Sequence, residues 1–192
     1  MTQSFNLDKI QTLNIFLLAL IASSLSLSSC KKDDDDPDDH DHDHEEELIT
    51  TVELHMDNTA TGDHLTATWS DPDGPGGEDA TIEAITLDTN STYEVSIEFS
   101  DESGDEVHDV THEIEDEAAE HIICFDPSSG ELSVSRTDSD GTHGIGLESE
   151  WTTTAAGSLN ITISLKHQPD VKDGTCDPGE TDVEVEFPVV IQ

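Results

Sequence analysis

The chain is 192 residues long and carries 46 Asp and Glu residues against six Lys and Arg, which gives a formal net charge of −40. This charge excludes nucleic acid and anionic lipid as binding partners, because both would be repelled. It fits either a solvated acidic surface suited to a saline habitat or a protein that captures cations. Most of the carboxylates belong to the first class, because no cation site uses more than a handful.

An apolar stretch from Ile15 to Leu27 ends in small residues just before Cys30. Its thirteen residues are too few to span a bilayer, which takes about twenty, and the strongly acidic segment behind it is untypical of a stop-transfer helix. The pattern predicts a lipoprotein signal peptide over residues 1–29, with cleavage before Cys30 and fatty acyl chains such as palmitate on that residue. The alternative is a secretory leader that is removed without lipidation.

Residues 30–47 consist of Cys30, two lysines and then only Asp, Glu and His apart from one Pro. The acidic part has no apolar side chain to bury and its like charges repel, so we expect a disordered, extended stalk. Imidazole and carboxylate alternate within it, a composition that attracts Zn²⁺, Cu²⁺ or Ni²⁺. The candidate ligands are His40, His42 and His44, and the alternative is a tract that only solubilises a spacer.

Residues 48–192 alternate between apolar and polar side chains in run after run, and Gly, Asp and Pro turn signals separate the runs. Period-two alternation is typical of half-buried antiparallel strands. Eight or nine such strands predict a mainly β domain, a two-sheet antiparallel β-sandwich of the Ig-like or Greek-key type. The clearest predicted strands cover residues 49–56, 64–70, 81–87, 92–99, 132–137, 145–154, 158–166 and 182–191.

One segment interrupts this pattern. The residues around 111–120 are rich in helix formers, with Thr111 as a candidate N-cap and acidic residues in the first turn. We therefore predict one short helix there, which leads into a strand over residues 121–125.

The helical segment also carries a resemblance. His-Glu-Ile-Glu-Asp-Glu-Ala-Ala-Glu-His at residues 112–121 resembles a segment of small surface lipoproteins of the Bacteroidota. The resemblance extends to Thr-Ala-Thr-Trp-Ser-Asp-Pro-Asp-Gly at 66–74, Leu-Lys-His-Gln-Pro at 165–169 and Gly-Glu-Thr-Asp-Val-Glu-Val-Glu-Phe at 179–187. It therefore covers nearly all of the predicted domain.

The acidic residues shortly after Cys30 are similar to the export signal of such lipoproteins. The resemblance implies a lipid-anchored protein in the outer membrane, on the cell surface. Members of the family are often labelled as having a type 1 periplasmic binding fold, whereas the strand pattern of this chain predicts a sandwich. The family brings no established activity, so the resemblance concerns location and the extent of the domain.

Histidine and carboxylate side chains near the predicted helix form a candidate metal site. Residues three or four apart share a helix face, so Glu117, Glu120 and His121 would project to one side. On a helix, His112 would lie one turn from His108. Imidazole and carboxylate together suit Zn²⁺ and similar divalent metals. His167, in a segment that shares the family resemblance, is the candidate distant ligand. The alternative is the solvated face of a helix in an acidic protein.

Cys124 and Cys176 are the remaining thiols, and outside the cytoplasm an even pair predicts a disulfide. The alternative is that the two thiolates bind a metal. The sequence contains no nucleophile elbow, no His-Glu-x-x-His motif and no glycine-rich phosphate loop. We therefore predict that the protein is not an enzyme.

These observations favour a cell-surface lipoprotein that binds a divalent transition metal such as zinc, as an accessory to an outer-membrane receptor protein. The alternative is a non-catalytic module for adhesion, which binds a glycan or a protein on the cell surface.

Overall fold

The computed structural model describes residues 48–74 and 76–192. The predicted signal peptide over 1–29 and the segment 30–47 lie outside the described residues, and so do the predicted sites at Cys30, His40, His42 and His44. No helix in the described part of the chain has the length and apolar character needed to cross a membrane.

The described residues form eleven strands and one short helix, so the chain is mainly β, as predicted. The strands are β1 (Thr51–Asn58), β2 (His64–Ser70), β3 (Thr81–Ile82), β4 (Ile85–Leu87), β5 (Thr92–Asp101), β6 (His108–Asp109), β7 (His121–Pro127), β8 (Leu132–Arg136), β9 (Glu148–Thr153), β10 (Gly157–His167) and β11 (Glu180–Ile191). The helix α1 (Thr111–Asp116) lies between β6 and β7.

The strands build two sheets. The larger has the order β3-β2-β1-β5-β9-β8, with β6 also paired to β5, and the smaller has the order β4-β11-β10-β7. Every pairing is antiparallel except that of β11 with β4, which is parallel. The prediction of a two-sheet sandwich is confirmed, and the parallel pair is an addition to it.

The hydrophobic core contains the apolar faces of both sheets. Along β10, every second side chain from Leu159 to Leu165 is buried, and β5 follows the same rule. Removal of this apolar area from water stabilises the sandwich, by roughly 1.5 to 3 kcal/mol for each large side chain. The largest fully buried side chains include Trp151, Tyr93, Phe99 and Phe187.

Two predicted elements differ from the structure. The single strand expected over 81–87 is two short strands, β3 and β4, which belong to different sheets. The helix expected around 111–120 ends at Asp116. Its last turn contains acidic but no basic residues, and acidic side chains oppose the negative end of the helix dipole. Thr111 does not cap the helix, because its hydroxyl donates to the carbonyl of Phe99 at 3.1 Å.

The smaller sheet determines where the candidate ligands meet. β7 begins at His121 and β10 ends at His167, and these two residues are direct cross-strand partners. On the other side of β10, His167 pairs with Glu180, the first residue of β11. One end of this sheet therefore gathers the start of β7, the end of β10 and the start of β11.

Cys124 and Cys176 are joined in a disulfide, so the predicted pairing is confirmed. Cys124 lies in β7, and Cys176 lies in the loop that joins β10 to β11. The bond therefore attaches this loop to the same end of the smaller sheet.

We expect the loss of this disulfide to lower the free energy of unfolding by about 4 kcal/mol, because the bond closes a long loop in the unfolded chain. The two cysteines are 52 residues apart in sequence. Urea denaturation of the oxidised protein, the reduced protein and a C124S/C176S variant measures the effect. Equal denaturation midpoints with and without reductant would contradict the prediction, and the double variant serves as the control on which reductant has no effect.

Candidate metal centre

His121 and His167 lie side by side because β7 and β10 pair in register. Their rings are stacked, with centroids 4.7 Å apart and an angle of 11° between the ring planes. His121 is 1% exposed, and the His167 side chain is 12% exposed. The fold thus holds two imidazoles together in a nearly dry environment.

Glu117 and Glu120 reach the same place from the turn between α1 and β7. This turn is held by a hydrogen bond from the Glu120 N–H to the Glu117 carbonyl at 2.8 Å. Ligand atoms of Glu117, His121 and His167 all lie within 4.8 Å of one another. A Glu120 carboxylate oxygen lies 3.5 Å from His167 Nε2, but that side chain is 38% exposed. The cluster therefore has three central members and one at its margin.

The hydrogen bonding of His121 determines which ring nitrogen can bind a metal. Its Nδ1 lies 3.3 Å from the Glu117 carbonyl oxygen, which can only accept, so Nδ1 carries the proton. Nε2 is then the nitrogen with a free lone pair, and it is buried and forms no hydrogen bond. Histidine ligands of metals commonly show this arrangement, in which the second ring N–H donates to a carbonyl.

The surroundings also keep His121 uncharged. Burial lowers the pKa of His121 to about 4, and the neighbouring His167 contributes to the shift in the same direction. At neutral pH the ring therefore presents a lone pair rather than a second proton. A transition metal requires that form of the ligand, because it competes with protons for the nitrogen.

Gln168 holds the loop between β10 and β11 next to the site. The backbone N–H of Gln168 donates to the Glu120 carbonyl at 2.6 Å. Its buried side chain donates to the carbonyls of Thr175 and Pro178, at 3.0 and 2.8 Å. Together with the disulfide, these bonds hold the ends of the loop next to the two histidines.

Lys172 of the same loop fixes the turn that carries the two glutamates. Its ammonium donates to the Ala118 carbonyl at 2.6 Å and to a carboxylate oxygen of Asp140 at 2.7 Å. Both charged side chains are more than nine-tenths buried. The pKa of Asp140 lies well below its usual range, chiefly because of the hydrogen bond from Lys172. The pair is thus ionised, and the charge of Lys172 makes a small contribution to the lowered pKa of His121.

Asp182, which sequence reasoning missed, also lies at the site. Its side chain is fully buried, and Oδ2 lies 4.0 Å from His121 Nε2. The β10–β11 register pairs Leu165 with Val183 and Lys166 with Thr181, which leaves Asp182 as the extra residue of a β-bulge. A bulge redirects side chains, so simple alternation assigns Asp182 to the wrong face. Its position in the segment 179–187, which shares the family resemblance, was the only signal in the sequence.

The other predicted ligands are distributed as follows. His112 is 71% exposed on α1, where its ring nitrogens lie 3.7 and 3.8 Å from carboxylates of Glu115 and Asp116. It is not part of the cluster, so its assignment to this site is corrected. The reason is helix geometry, because residues five apart, such as His112 and Glu117, lie on different sides of a helix. Within the described residues, Glu117, His121 and His167 form the one group with three ligand atoms in mutual reach.

Two imidazoles and a carboxylate are a donor set that suits Zn²⁺ and related transition metals. Oxygen donors alone would suit Ca²⁺ or Mg²⁺ instead. The near-complete burial of His121 also limits the access of water to the centre. Chemically, the arrangement can hold a borderline-soft dication.

No protein-family model matches the chain, and comparisons with curated proteins and with solved structures find no similar chain.

We expect the metal-free protein to lose stability between about pH 6.5 and pH 4. In this window the unfolded chain protonates His121 but the folded chain does not, so acid favours unfolding. The loss should reach about 3 kcal/mol, because one pKa unit corresponds to about 1.4 kcal/mol. Above pH 6.5 the ring is neutral in both states and has no such effect.

Urea denaturation in the presence of a chelator, repeated across this pH range, measures the slope. An H121Q variant should show a shallower slope, whereas H64Q, which removes an exposed imidazole, should retain that of the wild type. Identical slopes in all three proteins would disprove the assignment to His121.

Proposed function

We propose that the protein is a cell-surface lipoprotein that binds a divalent transition metal, Zn²⁺ or a close relative, as an accessory to an outer-membrane receptor. The observation that supports this most directly is the group of buried His121 with half-buried Glu117 and His167, whose ligand atoms lie within 4.8 Å of one another. Three potential ligands from separate elements meet there, and one of them presents a buried lone pair.

The charge of the domain supports capture of a cation. Residues 48–192 contain 34 acidic and three basic residues. A field of this sign raises the local concentration of cations at the surface and speeds their association. The stalk adds alternating Asp and His residues, which bind transition metals loosely and release them readily. The proposal assigns collection to the stalk and more specific retention to the folded site.

The proposed location rests on the predicted signal peptide and on the predicted lipid anchor at Cys30. A lipidated Cys30 attaches the chain to the outer membrane, and the acidic stalk separates the domain from the bilayer. From the cell surface, a bound metal can pass to a receptor that transports it across the membrane. No catalytic step enters this function.

A second candidate function is the binding of a glycan or a protein without catalysis. The observation in its favour is an open cleft of about 400 Å³ lined by polar groups that include Asn58, Asp63 and Asp88. Sugar-binding clefts usually present an exposed aromatic ring, yet Tyr93 in this cleft is buried. No Phe, Tyr or Trp side chain of the described residues is exposed. The metal site is therefore the better supported proposal.

We expect Zn²⁺ to raise the melting temperature of the full chain carrying H40S, H42S and H44S, which removes the imidazoles of the stalk. A ligand that prefers the native state stabilises it by about 2.7 kcal/mol at one hundred times its Kd. For a domain of this size the shift is roughly 5 to 10 °C. Thermal denaturation with and without Zn²⁺ is the measurement.

The shift should disappear in an H121A/H167A variant and persist in the matched H64A/H112A variant, which removes two exposed imidazoles. Absence of a shift with Zn²⁺, Cu²⁺ and Ni²⁺ in the parent protein would refute binding at the folded site. An equal shift in both double variants would place binding elsewhere in the chain.

We expect a C30A variant to lose incorporation of labelled palmitate and to move from the membrane to the soluble fraction. The reason is that the predicted acyl chains attach at this residue. Cell fractionation and metabolic labelling test this, with the C124S/C176S variant as the control that keeps Cys30. Membrane retention of C30A would contradict lipid anchoring at this position.

A further inference from the structure

We propose that Asp182 is the fourth ligand of this site, which makes it a closed tetrahedral centre of two imidazole nitrogens and two carboxylate oxygens. The inference rests on the proposed metal-binding function and goes beyond it by naming the ligand set. It also names the class of metal, a dication with a tetrahedral preference such as Zn²⁺ or Co²⁺.

The backbone places Asp182 at the site by an irregularity in the sheet. Val185, Phe187 and Val189 of β11 point inward and are buried, while Glu184 and Glu186 point outward and are exposed. Continued alternation would put residue 182 on the outer face with the two glutamates. The bulge opposite Leu165 and Lys166 breaks this pattern, and the Asp182 side chain is fully buried. Bulges are frequently found where a functional side chain is redirected.

The second observation is the relation of Asp182 to His121. Nδ1 of His121 donates to a carbonyl, so the buried Nε2 is an acceptor that makes no hydrogen bond. A carboxylate oxygen of Asp182 lies 4.0 Å away. A dication between these two atoms would bind to both.

The distances give the movement that the ligand atoms need in order to bind a single ion. Zn²⁺ binds nitrogen and carboxylate oxygen at about 2.0 to 2.2 Å, so tetrahedral ligand atoms lie about 3.3 Å apart. The separation of 4.0 Å between His121 and Asp182 therefore needs a contraction of less than about 1 Å. The ligand atoms of Glu117, His121 and His167, within 4.8 Å of one another, need a contraction of up to about 1.5 Å, which requires rotation of both rings and of the glutamate side chain.

Burial distinguishes Asp182 from Glu120, the other carboxylate nearby. Asp182 is fully buried and lies by His121, whereas Glu120 is 38% exposed and lies by His167. An exposed carboxylate next to a ligand histidine is placed to orient that ring, which is a positioning role. The buried carboxylate is placed to supply charge to the ion itself.

A centre with four protein ligands has a consequence for function. Catalytic zinc sites keep one position for water or substrate, whereas sites with four protein ligands hold the metal. The Asp182 carboxylate would occupy that remaining position. The site is accordingly a holding site, and its metal leaves by exchange of ligands rather than by turnover of a substrate.

The test uses Co²⁺ as a spectroscopic probe with the full chain carrying H40S, H42S and H44S. Tetrahedral Co²⁺ absorbs visible light far more strongly than octahedral Co²⁺. The parent protein should show this strong absorption, and competition with Zn²⁺ should remove it. D182N should weaken Co²⁺ and Zn²⁺ binding at least tenfold and reduce the absorption.

The matched control is D177N, which neutralises an exposed aspartate near the same end of the sheet. It should bind like the parent, and E120Q should keep the tetrahedral spectrum. Parent-like affinity and spectrum in D182N would overturn the fourth ligand while leaving the metal-binding function intact. The same holds if E120Q loses the spectrum and D182N does not. No binding of Co²⁺ or Zn²⁺ by the parent would refute both.

Crystals of the cobalt-loaded parent provide a measurement that does not depend on how the variants fold. Anomalous scattering locates the ion, and an Asp182 oxygen within bonding distance of about 2.2 Å supports the inference. An ion bound by Glu117, His121 and His167 with Asp182 outside bonding distance overturns it.

Discussion

The site depends on one pairing, the antiparallel register of β7 with β10 that sets His121 opposite His167. The other parts of the site surround these two rings. The turn after α1 supplies Glu117 and the carbonyl that fixes the tautomer of His121. The ladder of β10 with β11 supplies a buried carboxylate through its bulge. A shift of this register by one residue would send the two imidazoles to opposite faces, because side chains alternate along a strand.

The few cations of the domain are concentrated around the same end of the smaller sheet. Lys172 binds a carbonyl of the turn after α1, and Lys166 donates to Gly179 and Thr181 at the start of β11. Arg136 donates to the Ile123 carbonyl in β7 and lies near both disulfide sulfurs. In a domain with so many acids, these three bases hold the backbone that carries the ligands. These three cations therefore stabilise the backbone around the site, and the remaining acidic surface is solvated.

The sequence predicts the sandwich well because alternation is a local property and burial of one face enforces it. β5 and β10 follow the predicted runs closely. The start of a strand at His121 was also predicted. The register between β7 and β10 was not, because it depends on contacts between segments distant in sequence. The place of Asp182 was still less accessible, since a bulge appears only when two strands are aligned. His112 lies outside the cluster because it is five positions before Glu117 and so points to a different side of the helix, which the spacing in the sequence already indicates.

The buried polar groups of this site affect both the stability of the fold and the proposed metal binding. A sandwich gains little from a dry cluster of imidazoles and carboxylates, since desolvation disfavours such groups unless charge and hydrogen bonds compensate. The Lys172–Asp140 pair shows such compensation, with both partners buried and joined at 2.7 Å. Around His121 the chain supplies carboxylates and a second imidazole. A dication bound there would be attracted by the carboxylates, so metal binding would also stabilise the fold, as expected wherever ligands are assembled only in the native state.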